Sequence, residues 1–177
     1  MKKSLLMASL LLAGSSVMAS EYFVGANYLN LDSDISISDG TTLSEKDKNI
    51  NFKFGIIDSE KRVYLQTGTV YNDNEYGIDY KSTSINYDKL FQSNGKFTPF
   101  IGVGIGYGTM DIDELRDESG LEYWFRLGSL INLDNKSSFE IGYTYMKSSI
   151  EFAETSENYK LDNISSKGLY VGYNYKF

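Results

Sequence analysis

The stretch Phe97-Thr98-Pro99-Phe100-Ile101-Gly102-Val103-Gly104-Ile105-Gly106-Tyr107-Gly108 alternates with a period of two. Phe97, Pro99, Ile101, Val103, Ile105 and Tyr107 occupy one face, while Gly102, Gly104, Gly106 and Gly108 repeat on the other. Successive side chains on a strand point to opposite sides, so this pattern is a strand with one apolar and one nearly bare face. The chain's single proline stands at its beginning, where a strand tolerates it. Glycine inside a strand is unfavourable unless something large must come close to the backbone. In a narrow closed barrel the long polar side chains of opposite strands need that room, which places the glycine face inside and the apolar face outside.

Seven further runs of the same kind flank this one. Tyr22, Val24, Ala26 and Tyr28 form the first face, and Ile50, Phe52, Phe54 and Ile56 the second. The third carries Val63, Leu65, Thr67, Thr69 and Tyr71. The fourth starts with Tyr76, Ile78 and Tyr80 and then changes parity to Ile85, Tyr87 and Phe91, which predicts a bulge near residues 82–84. Leu121, Tyr123, Phe125, Leu127 and Ile131 follow, then Phe139, Ile141, Tyr143 and Tyr145, and finally Leu169, Val171, Tyr173, Tyr175 and Phe177. The opposite faces hold Asn27, Asn51, Lys53, Gln66, Glu122, Arg126, Glu140, Thr144, Asn174 and Lys176, with most of the glycine.

An apolar exterior around a polar, charged interior inverts the soluble barrel, and only lipid makes it favourable. Runs of about ten residues tilted by roughly 40° cover about 25 Å, the height of an outer-membrane apolar band. A lipocalin-like barrel or a sandwich would instead carry Lys and Glu outside and need an apolar lumen or a second sheet. The fold class is therefore all-β, an eight-stranded antiparallel up-and-down transmembrane β-barrel.

Residues 1–19 combine Lys2 and Lys3, an apolar stretch from Leu5 to Ala13 and a small-residue end at Val17-Met18-Ala19. They read as a secretory signal peptide, leaving residues 20–177 as the barrel domain. The apolar stretch falls short of the roughly 20 residues a spanning helix needs. The formal net charge of −7 becomes −9 once the two lysines leave. Bulk charge of that sign argues against nucleic acid as a partner.

Connections alternate in length. Short turns are expected at residues 58–61, 92–96 and 134–138, and longer polar loops at 32–48, 111–120 and 149–163, with a briefer one at 72–75. Outer-membrane barrels place short turns in the periplasm and long loops outside, so both termini are expected in the periplasm of a bacterial outer-membrane protein.

The last eight residues, Tyr170-Val171-Gly172-Tyr173-Asn174-Tyr175-Lys176-Phe177, resemble the C-terminal assembly signal of Gram-negative outer-membrane barrels. The whole mature chain resembles the small barrels of the OmpA-transmembrane-domain, OmpX and opacity-protein type. That resemblance implies recognition by the barrel-assembly machinery, with Tyr170, Gly172, Tyr175 and Phe177 as the recognised positions. It also implies outer-membrane lipid and lipopolysaccharide as surroundings.

The chain has no Cys and no His, which excludes disulfides, Cys-ligated metals and lipidated cysteine. Similar barrels that act on lipid A use a His with a Ser or an acidic group, so no catalytic residue is expected here, nor a cofactor or metal. Lys53, Glu122, Arg126, Glu140 and Lys176 read as an inward network of mutually neutralising charges, which Asp79 and Lys81 extend if they face inward. The acidic segment Asp111, Asp113, Glu114, Asp117, Glu118 does not match a calcium loop and reads as a solvated loop. Ile150, Phe152, Tyr159 and Leu161 make the 149–163 segment more apolar than a passive connector and mark it as a candidate interaction loop, continuing two strands as a hairpin. Two functions remain: a rigid scaffold displaying loops to a host or cell-surface ligand, and a narrow porin-like channel. About eight strands leave an interior that side chains fill, which favours the scaffold, while the inward glycines favour the channel.

Overall fold

The computed structural model describes residues 20–37, 42–71, 78–92, 95–112, 118–150 and 161–177. The expected signal peptide lies outside them. Eight strands follow in order: β1 (Glu21–Ile37), β2 (Thr42–Ile57), β3 (Lys61–Tyr71), β4 (Ile78–Leu90), β5 (Phe97–Ile112), β6 (Glu118–Asn132), β7 (Ser137–Ile150) and β8 (Leu161–Lys176). Each pairs antiparallel with the next, and β8 pairs with β1, from Phe23↔Lys176 outward, to close the barrel. Closure satisfies both edges of the sheet, the condition for a β-structure to sit in hydrocarbon.

Side-chain direction follows the alternation. Phe52, Val103, Tyr123, Ile141 and Leu169 are exposed on the outside, whereas Lys53, Glu122, Arg126 and Glu140 are buried inside. The bare face of β5 has a direct cause. A Cβ on Gly102 or Gly104 would collide with the side-chain oxygens of Asp88 and Asn86 on β4.

The structure corrects three expectations. First, β4 pairs with β3 and β5 in unbroken register from Val70↔Tyr80 to Lys61↔Lys89, so there is no bulge at residues 82–84. Instead Tyr80 faces the lumen, with its hydroxyl 3.9 Å from Met146 Sδ, and the parity change is an aromatic residue on the inner face. Second, the 32–48 loop is largely a continuation of β1 and β2, paired out to Ser36↔Thr42. Beyond Tyr28 the outward positions turn polar, with Asp32 exposed, while Leu29 and Leu31 are buried on the inner face, so the apolar outer face that marks the other strands stops short of the paired ends. Third, the lumen is not uniformly polar. Leu29, Leu31, Leu90, Phe100, Trp124, Leu130 and Met146 form one apolar cluster inside it, together with Tyr170.

Two of the short turns have the same construction. The Asp58 carboxylate accepts the N–H groups of Glu60 and Lys61 at 2.7 and 2.9 Å, and Asp134 accepts those of Lys136 and Ser137 at 2.7 Å each. These Asx turns satisfy the backbone where the ladder stops. The start of β1 and the end of β8 share this turn end of the barrel, with Phe177 N–H donating to the Tyr22 carbonyl at 3.0 Å. β7 and β8 pair as far as Ser148↔Ile164, and residues 151–160 lie outside the described residues.

Candidate functional site

The lumen is built around Arg62, the second residue of β3. Its Nη1 and Nη2 donate to Glu140 Oε2 and Oε1, each at 2.8 Å, and its Nε donates to Asp88 Oδ2 at 2.5 Å. Lys53 Nζ donates to Glu140 Oε2 at 2.9 Å. Arg126 reaches Asp88 Oδ1 at 3.3 Å, Asn86 Oδ1 at 2.8 Å and Gln66 Oε1 at 3.2 Å. Three cations from β2, β3 and β6 thus share two carboxylates from β4 and β7. Tyr64 and Tyr170 donate to Asp88 and Glu140 at 3.2 and 3.0 Å, and Asn174 donates to Glu140 at 3.0 Å. The guanidinium of Arg62 also lies 4.7 Å from the Phe100 ring centre. Charges taken out of water need such pairing, and within the network Arg126 Nε is a buried donor without a hydrogen-bond partner.

The sequence-predicted residues divide. Lys53, Arg126 and Glu140 belong to this network. Glu122 does not: it is buried further toward the loop end, where Ser82 Oγ donates to its Oε2 at 2.5 Å and Trp124 Nε1 at 3.3 Å. Lys176 lies at the turn-end rim, where Nζ meets Glu21 Oε2 at 2.8 Å. Lys81 is exposed on the outside, and the side chain of Asp79 lies outside the described residues.

Arg62 and Asp88, the residues that complete the network, were not singled out in the sequence. The signal was present: each stands one position from an outward residue, Val63 and Tyr87, but also close to a turn, where charges are ordinary.

Of the terminal positions, Tyr170 points inward to Glu140 and Gly172 lies over the Asn27 side chain. Tyr175 and Phe177 point outward, and Phe177 stacks on Tyr22 with ring centres 6.2 Å apart. Phe54 stacks on the other face of Tyr22 at 6.4 Å, so an aromatic row crosses the β8–β1–β2 seam. Ile150 and Leu161 end β7 and begin β8, and Phe152 and Tyr159 lie outside the described residues.

Between the turn-end rim and Arg62 a vestibule of about 520 Å³ opens, with Phe23, Leu90 and Leu130 on its walls and Lys176, Glu21 and Asn132 at its mouth. Above it, Arg62, Lys53, Arg126, Asp88 and Glu140 meet one another across the lumen.

A closed eight-stranded barrel with lipid-facing aromatics and a charged, buried lumen is the fold of the small outer-membrane β-barrels. Solved structures agree. Neisserial surface protein A superposes with a TM-score of 0.66 at 18% identity, covering 88% of this chain and 97% of that one. Ail of Yersinia pestis, solved with the heparin analogue sucrose octasulfate, gives 0.52 at 18% identity over 90% of this chain and 100% of its own. OprG of Pseudomonas aeruginosa gives 0.53 at 17% identity, over 90% and 96%. The outer-membrane enzyme PagL shares the fold at a TM-score of 0.50. No family model and no curated protein matches the chain.

Proposed function

We propose that this chain is a non-enzymatic outer-membrane scaffold that holds its loop end outside the cell, with both termini in the periplasm, and contacts a host or cell-surface ligand through its loops. The observation that carries the reading is the lumen. Arg62, Lys53, Arg126, Asp88 and Glu140 cross-link five strands across the lumen, which supports rigidity over transport. The β1–β2 hairpin, paired out to Ser36↔Thr42, carries the scaffold beyond the apolar band.

Ail was solved with a polyanion, but the segment of this chain at residues 111–118 is strongly acidic, so a cationic or neutral surface is the better complement. The test replaces residues 151–160 with a short Gly/Ser turn and measures adhesion of expressing cells to host or bacterial surfaces. Folding should persist and adhesion fall to background. Unchanged adhesion would remove the loop from the reading.

The second reading, a narrow channel, draws on the vestibule that reaches Arg62. Planar-bilayer recordings separate the two: the scaffold gives no discrete conductance steps, and reproducible steps that vary with substitutions at Arg62 would favour the channel. Assembly through Tyr170, Gly172, Tyr175 and Phe177 belongs to the same proposal.

A further inference from the structure

One sector of the lipid-facing surface is unlike the rest. β6, β7 and β8 present Tyr123, Phe125 and Leu127, then Ile141, Tyr143 and Tyr145, then Leu169, Val171 and Tyr173. On β3 and β4 the corresponding outward positions toward the loop end are Thr67, Thr69, Lys81 and Thr83, and Thr109 continues the row on β5. Thr67 and Thr83 share a hydrogen bond at 3.3 Å, and both are exposed. Hydroxyls and an ammonium facing hydrocarbon are unfavourable unless something polar meets them.

The surface is also indented there. A groove of about 240 Å³ is lined by Ile50, Phe52, Thr67, Gly68 and Thr69. It has an aromatic and aliphatic wall on β2 and a floor of small residues on β3. Two lysines flank its loop-end side. Lys48 stands two residues beyond Ile50 on β2, and Lys81 is the register partner of Thr69. Both are exposed, neither has an ion pair among the described residues, and one strand separates them, about 10 Å across the sheet.

We propose that this face binds one phosphorylated glycolipid of the outer leaflet. Its phosphate lies between Lys48 and Lys81, its sugar or ester oxygens meet Thr67, Thr69 and Thr83, and one acyl chain fills the groove against Ile50 and Phe52. Charge sign selects this occupant over a second copy of the chain. A two-fold contact centred here would bring Lys48 of each copy against Lys81 of the other, like charges in a medium that screens them poorly. The assignment to the outer leaflet rests on the orientation proposed above, whereas the binding itself does not.

Native mass spectrometry of the purified barrel in detergent micelles reads binding irrespective of orientation. Diphosphorylated lipid A, its dephosphorylated form and phosphatidylethanolamine are titrated in EDTA, so that no divalent ion bridges the lipid phosphate to a carboxylate. The wild type should retain one diphosphorylated lipid per barrel. The double variant Lys48→Gln/Lys81→Gln should bind about 30-fold more weakly, from the attraction typical of two surface lysines. Thr67→Trp, which fills the groove, should weaken binding of the same lipid.

The double variant Lys147→Gln/Lys167→Gln alters an exposed pair elsewhere on the rim, on β7 and β8, and should bind as the wild type does. Unheated SDS mobility confirms that each variant is folded. Equal retention of the dephosphorylated lipid, or undiminished binding by the Lys48/Lys81 variant, would overturn the proposal. So would a dimer that the same variant strengthens, since that outcome assigns the face to a second copy.

Discussion

Arg62 and Glu140, on strands β3 and β7, face each other across the lumen and meet through two parallel hydrogen bonds of 2.8 Å. The pair is fork to fork, the geometry in which a guanidinium and a carboxylate fix each other's orientation. Lys53, Tyr170 and Asn174 converge on the same carboxylate, so Glu140 ties β2, β3 and β8 to β7.

Removing Glu140 should therefore cost more than its own hydrogen bonds. Glu140→Ala leaves Lys53 buried without its carboxylate partner and Arg62 with Asp88 alone, and breaking such a buried pair costs about 3–5 kcal/mol. Urea unfolding in detergent, followed by the loss of unheated SDS mobility, measures it. A loss near 1 kcal/mol would mean that water replaces the carboxylate and that the lumen is wetter than its burial indicates. Glu122→Gln is the control: it keeps the acceptor for Ser82 and Trp124 and strands no cation, so it should cost under 1 kcal/mol.

Much of this network was legible, and the part that was not has a definite reason. Period-two alternation assigns a face to each residue, which is why Lys53, Arg126 and Glu140 were found. Alternation does not assign a height along the barrel, nor which strands face each other across it. Glu122 and Glu140 therefore look equivalent in the sequence, although one meets Arg62 and Lys53 and the other meets Ser82. Tyr80 was hidden differently. An inward aromatic beside a glycine on the next strand reads as an outward one with slipped parity, because room in the lumen depends on neighbours that a single strand does not reveal.

The terminal residue should matter beyond its stacking. Tyr22→Ala removes the ring on which Phe177 packs but leaves the chain end intact, whereas deletion of Phe177 removes both the ring and the end. If the end is read during assembly, deletion should lower outer-membrane insertion by about tenfold or more, and Tyr22→Ala, which loses stacking on Phe177 and Phe54 but keeps the chain end, by clearly less. Pulse-labelled insertion in cells compares them. Equal losses would reduce the role of Phe177 to packing on the β8–β1 seam.

The β6–β7 turn should show itself in acid. Hydrogen bonds from the N–H groups of Lys136 and Ser137 hold the Asp134 carboxyl below its ordinary value. A carboxyl whose folded value is depressed contributes stability above its unfolded value, and loses it as the pH falls through the folded one. The stability difference between wild type and Asp134→Ala should thus be constant from about pH 5 upward and narrow below about pH 4. Unfolding curves across that range test it, and a difference that grows toward acid would have the wrong sign.

Neighbouring positions on β5 should respond in opposite ways to the same side chain. Gly104→Leu puts a branched side chain where even a Cβ collides with the Asn86 side chain, and Asn86 holds Arg126 at 2.8 Å. Val103→Leu adds volume on the outside, where Val103 is more than half exposed to lipid. The first should block folding or cost about 3 kcal/mol or more, through overpacking and a displaced Arg126 partner. The second should change stability by less than about 0.5 kcal/mol, as surface substitutions do. Folding yield into detergent and urea midpoints decide between them. Equal tolerance would mean that β5 can slip by one residue, exchanging its glycine and aliphatic faces.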